Sequence, residues 1–241
     1  MRKLLFILLS VITIAATLVA APVRHDKKLK SEAPDLEEIR RSVNDPSSPY
    51  YYPKLMQEYE RNETIMDLNA YRHLYYGYLF QEDFNPYRHN EASKKNQSLY
   101  YKDTHTRAEL DSIIEYSHEA LADNPFDLAQ INFLIYALRA RGKNNYAQIW
   151  QYRLNHLIQA IISSGTGEDP EHAWYVINPS HEYDIANFQN AVVKGQHYQE
   201  PYYDLIDIEK KNAKGKVITG TFYFNIRNLL EEYYRKFPNA Q

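Results

Sequence analysis

Apolar residues recur at helical spacing through the first two thirds of the chain. Leu36, Ile39 and Val43 fall on one face of a predicted helix that follows a proline and several acidic residues. Asp67 can cap a later helix that runs to about Phe80. We expect paired, antiparallel helices to build the part of the chain from residue 34 to residue 165.

The middle of the chain carries the clearest helix signals. Thr106 and Glu109 form a predicted capping box, in which each side chain bonds a free backbone amide of the other residue. Two further helices follow, one ended by Gly142 and one by Gly165. The stretch "YALRARGKNNYAQIW", preceded by "ALADNPFD", resembles a tetratricopeptide repeat. Only about one and a half such units fit, so we expect related helical hairpins and not an extended solenoid.

After residue 165 the period changes from helical to alternating. "YYDLIDIEK" and "VITGTFYFNI" read as a hairpin around "NAKGK", where Gly215 can adopt a positive φ. "HAWYVIN" is the expected third strand, "HEYDIANFQNAVV" a short helix, and "RNLLEEYYRKFP" a closing helix. The predicted fold class is therefore α+β, with a small antiparallel sheet and a C-terminal helix after the helical hairpins.

One long segment shows no regular period. Residues 81–105 are polar and irregular, and they form the longest predicted loop. Long loops in compact domains are uncommon unless they are functional or mobile.

The first 21 residues have the pattern of a signal peptide. Arg2 and Lys3 precede an apolar run that ends in small residues around Ala21. The alternative is an uncleaved anchor, since the run is close to the length of a membrane span. We expect cleavage, a linker over residues 22–33, and one domain over residues 34–241. The chain has no cysteine, which excludes lipoprotein anchoring, disulfides and thiolate chemistry.

Composition narrows the classes of function further. The formal net charge is −3, so no basic face for nucleic acid is expected. With 44% hydrophobic residues the chain should fold. No stretch after the signal peptide is long and apolar enough to predict a membrane span.

Tyrosine is the unusual feature of the composition, with 23 residues. Some of these tyrosines fall at helical spacing and suit core packing. Others lie between prolines at residues 49 and 53, where exposed rings could stack on a sugar or a peptide. Gly77, amid the rings, suggests close approach by another element. The candidate binding residues are Tyr50, Tyr51, Tyr52, Tyr75, Tyr76 and Tyr78.

A second candidate site is "SHEYD", with His181, Glu182 and Asp184. Histidine and carboxylates can act as general base and acid or bind zinc. The spacing does not match a zinc-protease helix, which needs two histidines around a glutamate. The same residues also suit a helix start, where acidic side chains favour the free amides.

Several segments together resemble an exported bacterial family, domain of unknown function 4919. They are "SPYYYPKLMQEYE", "YRHLYYGYLFQEDFNPY", "NPFDLAQINFLIYAL" and "YYDLIDIEKKNAKGKVITGTFYFNI". The resemblance extends from about Ser42 to Ile226. It implies an exported protein with helices followed by a small sheet. The family has no established activity, so it implies no catalytic residues.

Three hypotheses about function remain open from the sequence. The first is a non-enzymatic binding module of the cell envelope whose partner is a protein, a peptide or a glycan. The second is an envelope hydrolase centred on His181, Glu182 and Asp184. The third is a purely structural domain. No cofactor and no metal ion is predicted.

Overall fold

A computed structural model describes residues 31–212 and 214–239 of the chain. The predicted signal peptide (1–21) and most of the predicted linker (22–33) lie outside these residues. The helices are α1 (Leu36–Asn44), α2 (Tyr52–Glu60), α3 (Leu68–Gly77), α4 (Glu91–Gln97), α5 (Arg107–Asp123), α6 (Leu128–Ala140), α7 (Asn144–Ile162), α8 (Ser180–Phe188) and α9 (Arg227–Lys236). The strands are β1 (Trp174–Tyr175), β2 (Ala191–Gln199), β3 (Tyr203–Lys211) and β4 (Val217–Asn225). The α+β class is confirmed.

Side-chain caps fix where several helices begin. The Asp67 carboxylate accepts a hydrogen bond from the amide of Ala70 at 2.8 Å, at the start of α3. At the start of α5 the predicted capping box is present, since the Thr106 hydroxyl and the Glu109 carboxylate each accept a backbone amide of the other. These caps explain why the two helices were predictable from local sequence.

Helices α5, α6 and α7 form consecutive antiparallel hairpins. Arg141, just beyond the C-terminal end of α6, donates to Asp111 in the first turns of α5 at 2.7 Å. Arg139, also near that end, donates to Gln151 in the first half of α7 at 3.0 Å. Each helix therefore runs opposite to its neighbour, as the short connections between them require.

The sheet has four strands in the order β1-β4-β3-β2 and corrects the sequence reading in two ways. Strand β1 does pair with β4, but in parallel. The segment "AVV", predicted as the end of a helix, begins strand β2 at Ala191. Asn190 takes a positive φ of 55° directly after α8, which turns the chain. The β-branched Val192 and Val193 then pair with β3.

The predicted long loop of residues 81–105 also contains a helix. Asn90 caps α4 by accepting the amide of Ser93 at 3.0 Å. The helix buries Ala92 and Asn96 and packs against α5. The buried residues of α4 are one alanine and one asparagine. The sequence of α4 therefore lacks the repeating apolar residues from which a helix is predicted.

One apolar cluster contains side chains from the helices and from the sheet, from Leu36 to Ile226. Ile206 and Ile208 on β3 and Phe222 and Phe224 on β4 form the inner face of the sheet. The other face carries charged and polar side chains, including Asp207 and its cross-strand neighbour Thr221. Within the described residues, no helix combines the length and apolar character that crossing a membrane requires.

Candidate functional site

The proline-flanked tyrosines do not share one exposed surface. Tyr50 is half-buried and stacks on His73 with ring centroids 3.8 Å apart. Tyr51 is half-buried and immediately precedes α2, whereas Tyr52 is buried in the core. Ligand binding by Tyr50 and Tyr51 stays a prediction. The ring of Tyr52 is 7% exposed and reaches the surface where it lines a cleft of about 730 Å³.

The second group of candidate tyrosines belongs to the core. Tyr75 and Tyr76 are 0% and 1% exposed, and Tyr78 is 7% exposed. Tyr75 and Tyr78 both pack edge-on against Phe126, with centroids 6.3 and 5.4 Å away. Tyr75 and Tyr76 have no surface for a ligand to contact, so the structure supports packing as their role, whereas Tyr78 also lines a cleft of about 730 Å³.

His181 is a buried structural histidine. Its Nε2 donates to the carbonyl oxygen of Phe126 at 2.9 Å, so its Nδ1 accepts from the hydroxyl of Tyr75 at 2.7 Å. Burial lowers the pKa of His181 to about 4, although the hydrogen bond to Phe126 opposes the shift. Both ring nitrogens are occupied within the fold, which leaves neither free to serve a substrate.

The two carboxyls of the same motif point away from each other. Glu182 faces the sheet, where the side-chain amide of Gln196 donates to its Oε2 at 3.2 Å. Asp184, two residues on, lies near Asp127 at the start of α6, and burial with the negative charge of Asp127 raises its pKa to about 8. Residues two apart on a helix face different sides. The structure therefore does not bring His181, Glu182 and Asp184 to one cleft, as the hydrolase hypothesis needs.

A polar concave surface lies beside α4 instead. Two clefts of about 440 and 650 Å³ share their central lining and form one continuous depression. We call it the polar groove. It runs between the segment 85–100 and the starts of α6 and α8. The two clefts share Arg88, His89, Asn90, Ser93, Asp127 and Ser180.

Most residues that line the polar groove carry polar or charged side chains. Of the residues that line the two clefts, only Pro86 and Ala129 are apolar, and Tyr87 and Tyr100 add aromatic rings at opposite ends. The remaining side chains are amides, hydroxyls and charged groups. This surface suits a polar ligand that makes many hydrogen bonds.

Ion pairs and hydrogen bonds hold the wall of the groove in place. Arg88 donates to the Asp123 carboxylate at 2.6 Å, and Asn90 donates to the other oxygen of Asp123 at 3.0 Å. Burial opposes ionisation of Asp123, but these hydrogen bonds and the charge of Arg88 keep its pKa below the ordinary value. The anchored arginine and asparagine give the groove a defined shape before any ligand arrives.

A buried amide network fixes α4 against the helices beneath it. The Asn96 side-chain amide donates to the Ser117 hydroxyl at 2.9 Å and to the Gln130 carbonyl oxygen at 2.8 Å. Gln130 in turn donates to the hydroxyl of Tyr100. Buried polar networks of this kind specify one arrangement of their elements. The network therefore sets the distance between the two walls of the groove.

Sequence reasoning missed the residues of the polar groove. His89, Gln97 and Tyr100 lie in the segment that was predicted as irregular loop. The one available signal was the length of that segment. Among residues 31–212 and 214–239, the structure shows no group of three or more histidine, aspartate or glutamate side chains arranged to hold a metal ion.

Comparisons with known proteins place the chain in a family without identifying an activity. No curated protein matches the sequence, and no solved structure matches the fold. The model of one family, described as Domain of unknown function (DUF4919), matches residues 37–235. That match spans most of the chain, and the protein therefore belongs to the DUF4919 family.

Proposed function

We propose that the protein is a non-enzymatic, exported binding module whose ligand is a short oligosaccharide held in the polar groove. The observation that carries the proposal is the continuity of the two clefts, which share six lining residues. The exported location rests on the signal-peptide pattern of residues 1–21. The partner classes expected from the sequence included a glycan, and the groove favours that class over a peptide or a protein.

The chemistry of the lining supports a hydroxyl-rich ligand. The side-chain amide of Gln97 makes no hydrogen bond within the described residues and can donate and accept at once, whereas Asn85 and Asn90 accept from backbone amides and keep side-chain N–H groups to donate. Paired donors and acceptors match the adjacent hydroxyls of a sugar ring. The partly exposed rings of Tyr87 and Tyr100 offer apolar faces on which the C–H face of a sugar packs. A peptide would instead call for apolar side-chain pockets or an open strand edge.

The proposal is tested by thermal unfolding of the purified protein against neutral and cell-wall oligosaccharides. A bound saccharide at about 100 times its dissociation constant should stabilise the fold by roughly 2.7 kcal/mol. The test variant is His89→Ala with Gln97→Ala. Both side chains are exposed, line the groove, and make no side-chain hydrogen bond within the described residues.

The matched control removes the same two residue types from the open face of the sheet, as His197→Ala with Gln199→Ala. We expect a saccharide to raise the melting temperature of the wild type and the control but not of the groove variant. The proposal fails if no saccharide raises the melting temperature, or if the groove variant responds like the wild type. The first of these results would favour a purely structural role.

A further inference from the structure

A second surface, outside the centre of the polar groove, gathers four exposed tyrosines. Tyr87, Tyr183, Tyr198 and Tyr234 are 45%, 39%, 50% and 37% exposed. They come from the segment before α4, from α8, from β2 and from α9. We call them the tyrosine cluster. Large rings left this open by four separate elements are unusual when packing is their only role.

Two of the rings, Tyr198 and Tyr183, lie close to the carboxylate of Asp204 on β3. Tyr198 lies directly opposite Asp204 in the antiparallel pairing of β2 with β3, so both side chains share one face of the sheet. The hydroxyl of Tyr183 donates to the Gln196 side chain at 2.5 Å, and Gln196 donates to Asp204 Oδ2 at 3.4 Å. Tyr183 is therefore only one side chain away from the carboxylate.

The other two rings, Tyr87 and Tyr234, are linked to each other through Tyr233. Tyr87 packs edge-on against Tyr233 at 4.7 Å, and Tyr233 lies 5.5 Å from Tyr234. Burial raises the pKa of Tyr87, and the negative charge of Asp204 raises it further. Burial likewise raises the pKa of Tyr198, with smaller contributions from the negative charges of Glu200 and Asp204. Both tyrosines are therefore close enough to Asp204 to interact with it electrostatically.

The charge at the centre of the cluster is not neutralised by the protein. The side-chain amide of Gln196 donates to both Asp204 and Glu182, which places the two carboxyls next to each other. Glu182 is fully buried, and its Oε1 receives no hydrogen bond from the described residues, which fits a protonated acid facing Asp204. No lysine, arginine or histidine among the residues described forms an ion pair with either carboxyl. The pair therefore retains a negative charge next to the exposed tyrosines Tyr183 and Tyr198.

We propose that the tyrosine cluster and Asp204 bind an alkylammonium group. Aromatic faces attract a cation through their quadrupole, and a central carboxylate supplies the opposite charge. A compact ammonium bearing alkyl groups satisfies both the rings and the carboxylate. The inference is independent of the polar groove, which shares only Tyr87 with this surface.

The experiment is an NMR titration of the purified protein with tetramethylammonium, choline and N-acetyl-lysine amide, with potassium chloride as the ionic-strength control. We expect saturable binding of at least one organic cation and none of potassium. Tighter binding of tetramethylammonium or choline would identify a small quaternary ammonium compound as the ligand. Tighter binding of the lysine derivative would identify the side chain of a partner protein.

Two variants locate the binding and one controls for charge. Asp204→Asn keeps the shape and should weaken binding by about tenfold or more, and Tyr234→Ala should weaken it by about fivefold. Tyr234 is exposed on α9, so the second variant remains informative if Asp204→Asn does not fold. Asp207→Asn, a carboxylate on the open face of the same strand, should bind like the wild type. The inference is overturned if no alkylammonium saturates, or if both cluster variants bind like the wild type.

Discussion

The burial of Glu182 should make the stability of the protein depend strongly on pH. It is 0% exposed, and burial, with the nearby negative charge of Asp204, raises its pKa from 4.5 to about 9. Between pH 4.5 and about pH 9, the Glu182 carboxyl is ionised in the unfolded chain but still protonated in the folded protein. The free energy of unfolding should therefore fall as the pH rises, by up to about 1.4 kcal/mol per pH unit.

Glu182→Gln should make this decline shallower, because the amide cannot ionise. We expect the variant to be more stable than the wild type at pH 8 and similar to it at pH 5, as measured by urea unfolding across that range. Asp184, with a pKa raised to about 8, keeps part of the slope in both proteins. Glu115→Gln, an exposed change on α5, is the control and should leave the wild-type slope unchanged. An unaltered slope in Glu182→Gln would mean that Glu182 is ionised in the fold.

At the scale of the elements, the contact between α1 and α3 depends on Gly77. A Cβ atom added there would lie 2.7 Å from Val43 Cγ1 and 3.3 Å from Tyr52 Cδ2. The close approach expected from the sequence is therefore present. Gly77→Ala should destabilise the protein by roughly 1–3 kcal/mol through overpacking, despite the better helix propensity of alanine.

A double-mutant cycle tests whether that contact is the cause. Val43→Ala removes the obstructing methyl groups, so Gly77→Ala should cost little in that background. The coupling between the two changes, measured by chemical denaturation, should reach about 1 kcal/mol or more. Additive effects would show that Gly77 matters for some reason other than its contact with Val43.

Local signals account for the elements that sequence reasoning found. The caps at Asp67 and Thr106 and the turn at Gly215, where φ is 74°, depend on neighbouring residues alone. Strand β2 and helix α4 were not predicted because the sequence around them carries no clear apolar period. An asparagine in the left-handed region ends α8, and the inner side of α4 is an alanine and an asparagine.

The candidate surfaces bring together residues that are far apart in the sequence, and no local pattern predicts such contacts. The polar groove brings segment 85–100 next to residues 123–130 and 178–180. Sequence reasoning singled out His181, Glu182 and Asp184 because they are adjacent in the chain, yet the helix turns them in different directions. Of these three residues only Glu182 lies beside one of the proposed surfaces. It lies next to Asp204, which belongs to strand β3, later in the chain.

On the scale of the whole molecule, the shared apolar cluster should make the helices and the sheet unfold together. Trp150 lies on α7 and Trp174 on β1, so each half of the fold contains one tryptophan. In Trp150→Phe the fluorescence reports on the sheet, and in Trp174→Phe it reports on the helices. Within each variant, fluorescence and far-ultraviolet circular dichroism should give the same urea midpoint.

A fluorescence midpoint in Trp150→Phe clearly below the circular dichroism midpoint would contradict this expectation. The sheet would then open before the helices, and the expected single domain over residues 34–241 would consist of two units. Comparing the two probes within one variant removes the effect of the substitution itself on stability.

The two outer strands of the sheet differ in how they limit pairing with another chain. Strand β1 is only two residues long, which leaves few free backbone groups at that edge. Strand β2 is nine residues long, but its register shifts between Val193 and Gly195, and Lys194 lies at the shift. Bulges and charged residues at an edge discourage strand addition. The protein can thus accumulate to high local concentration with little tendency to polymerise through its sheet.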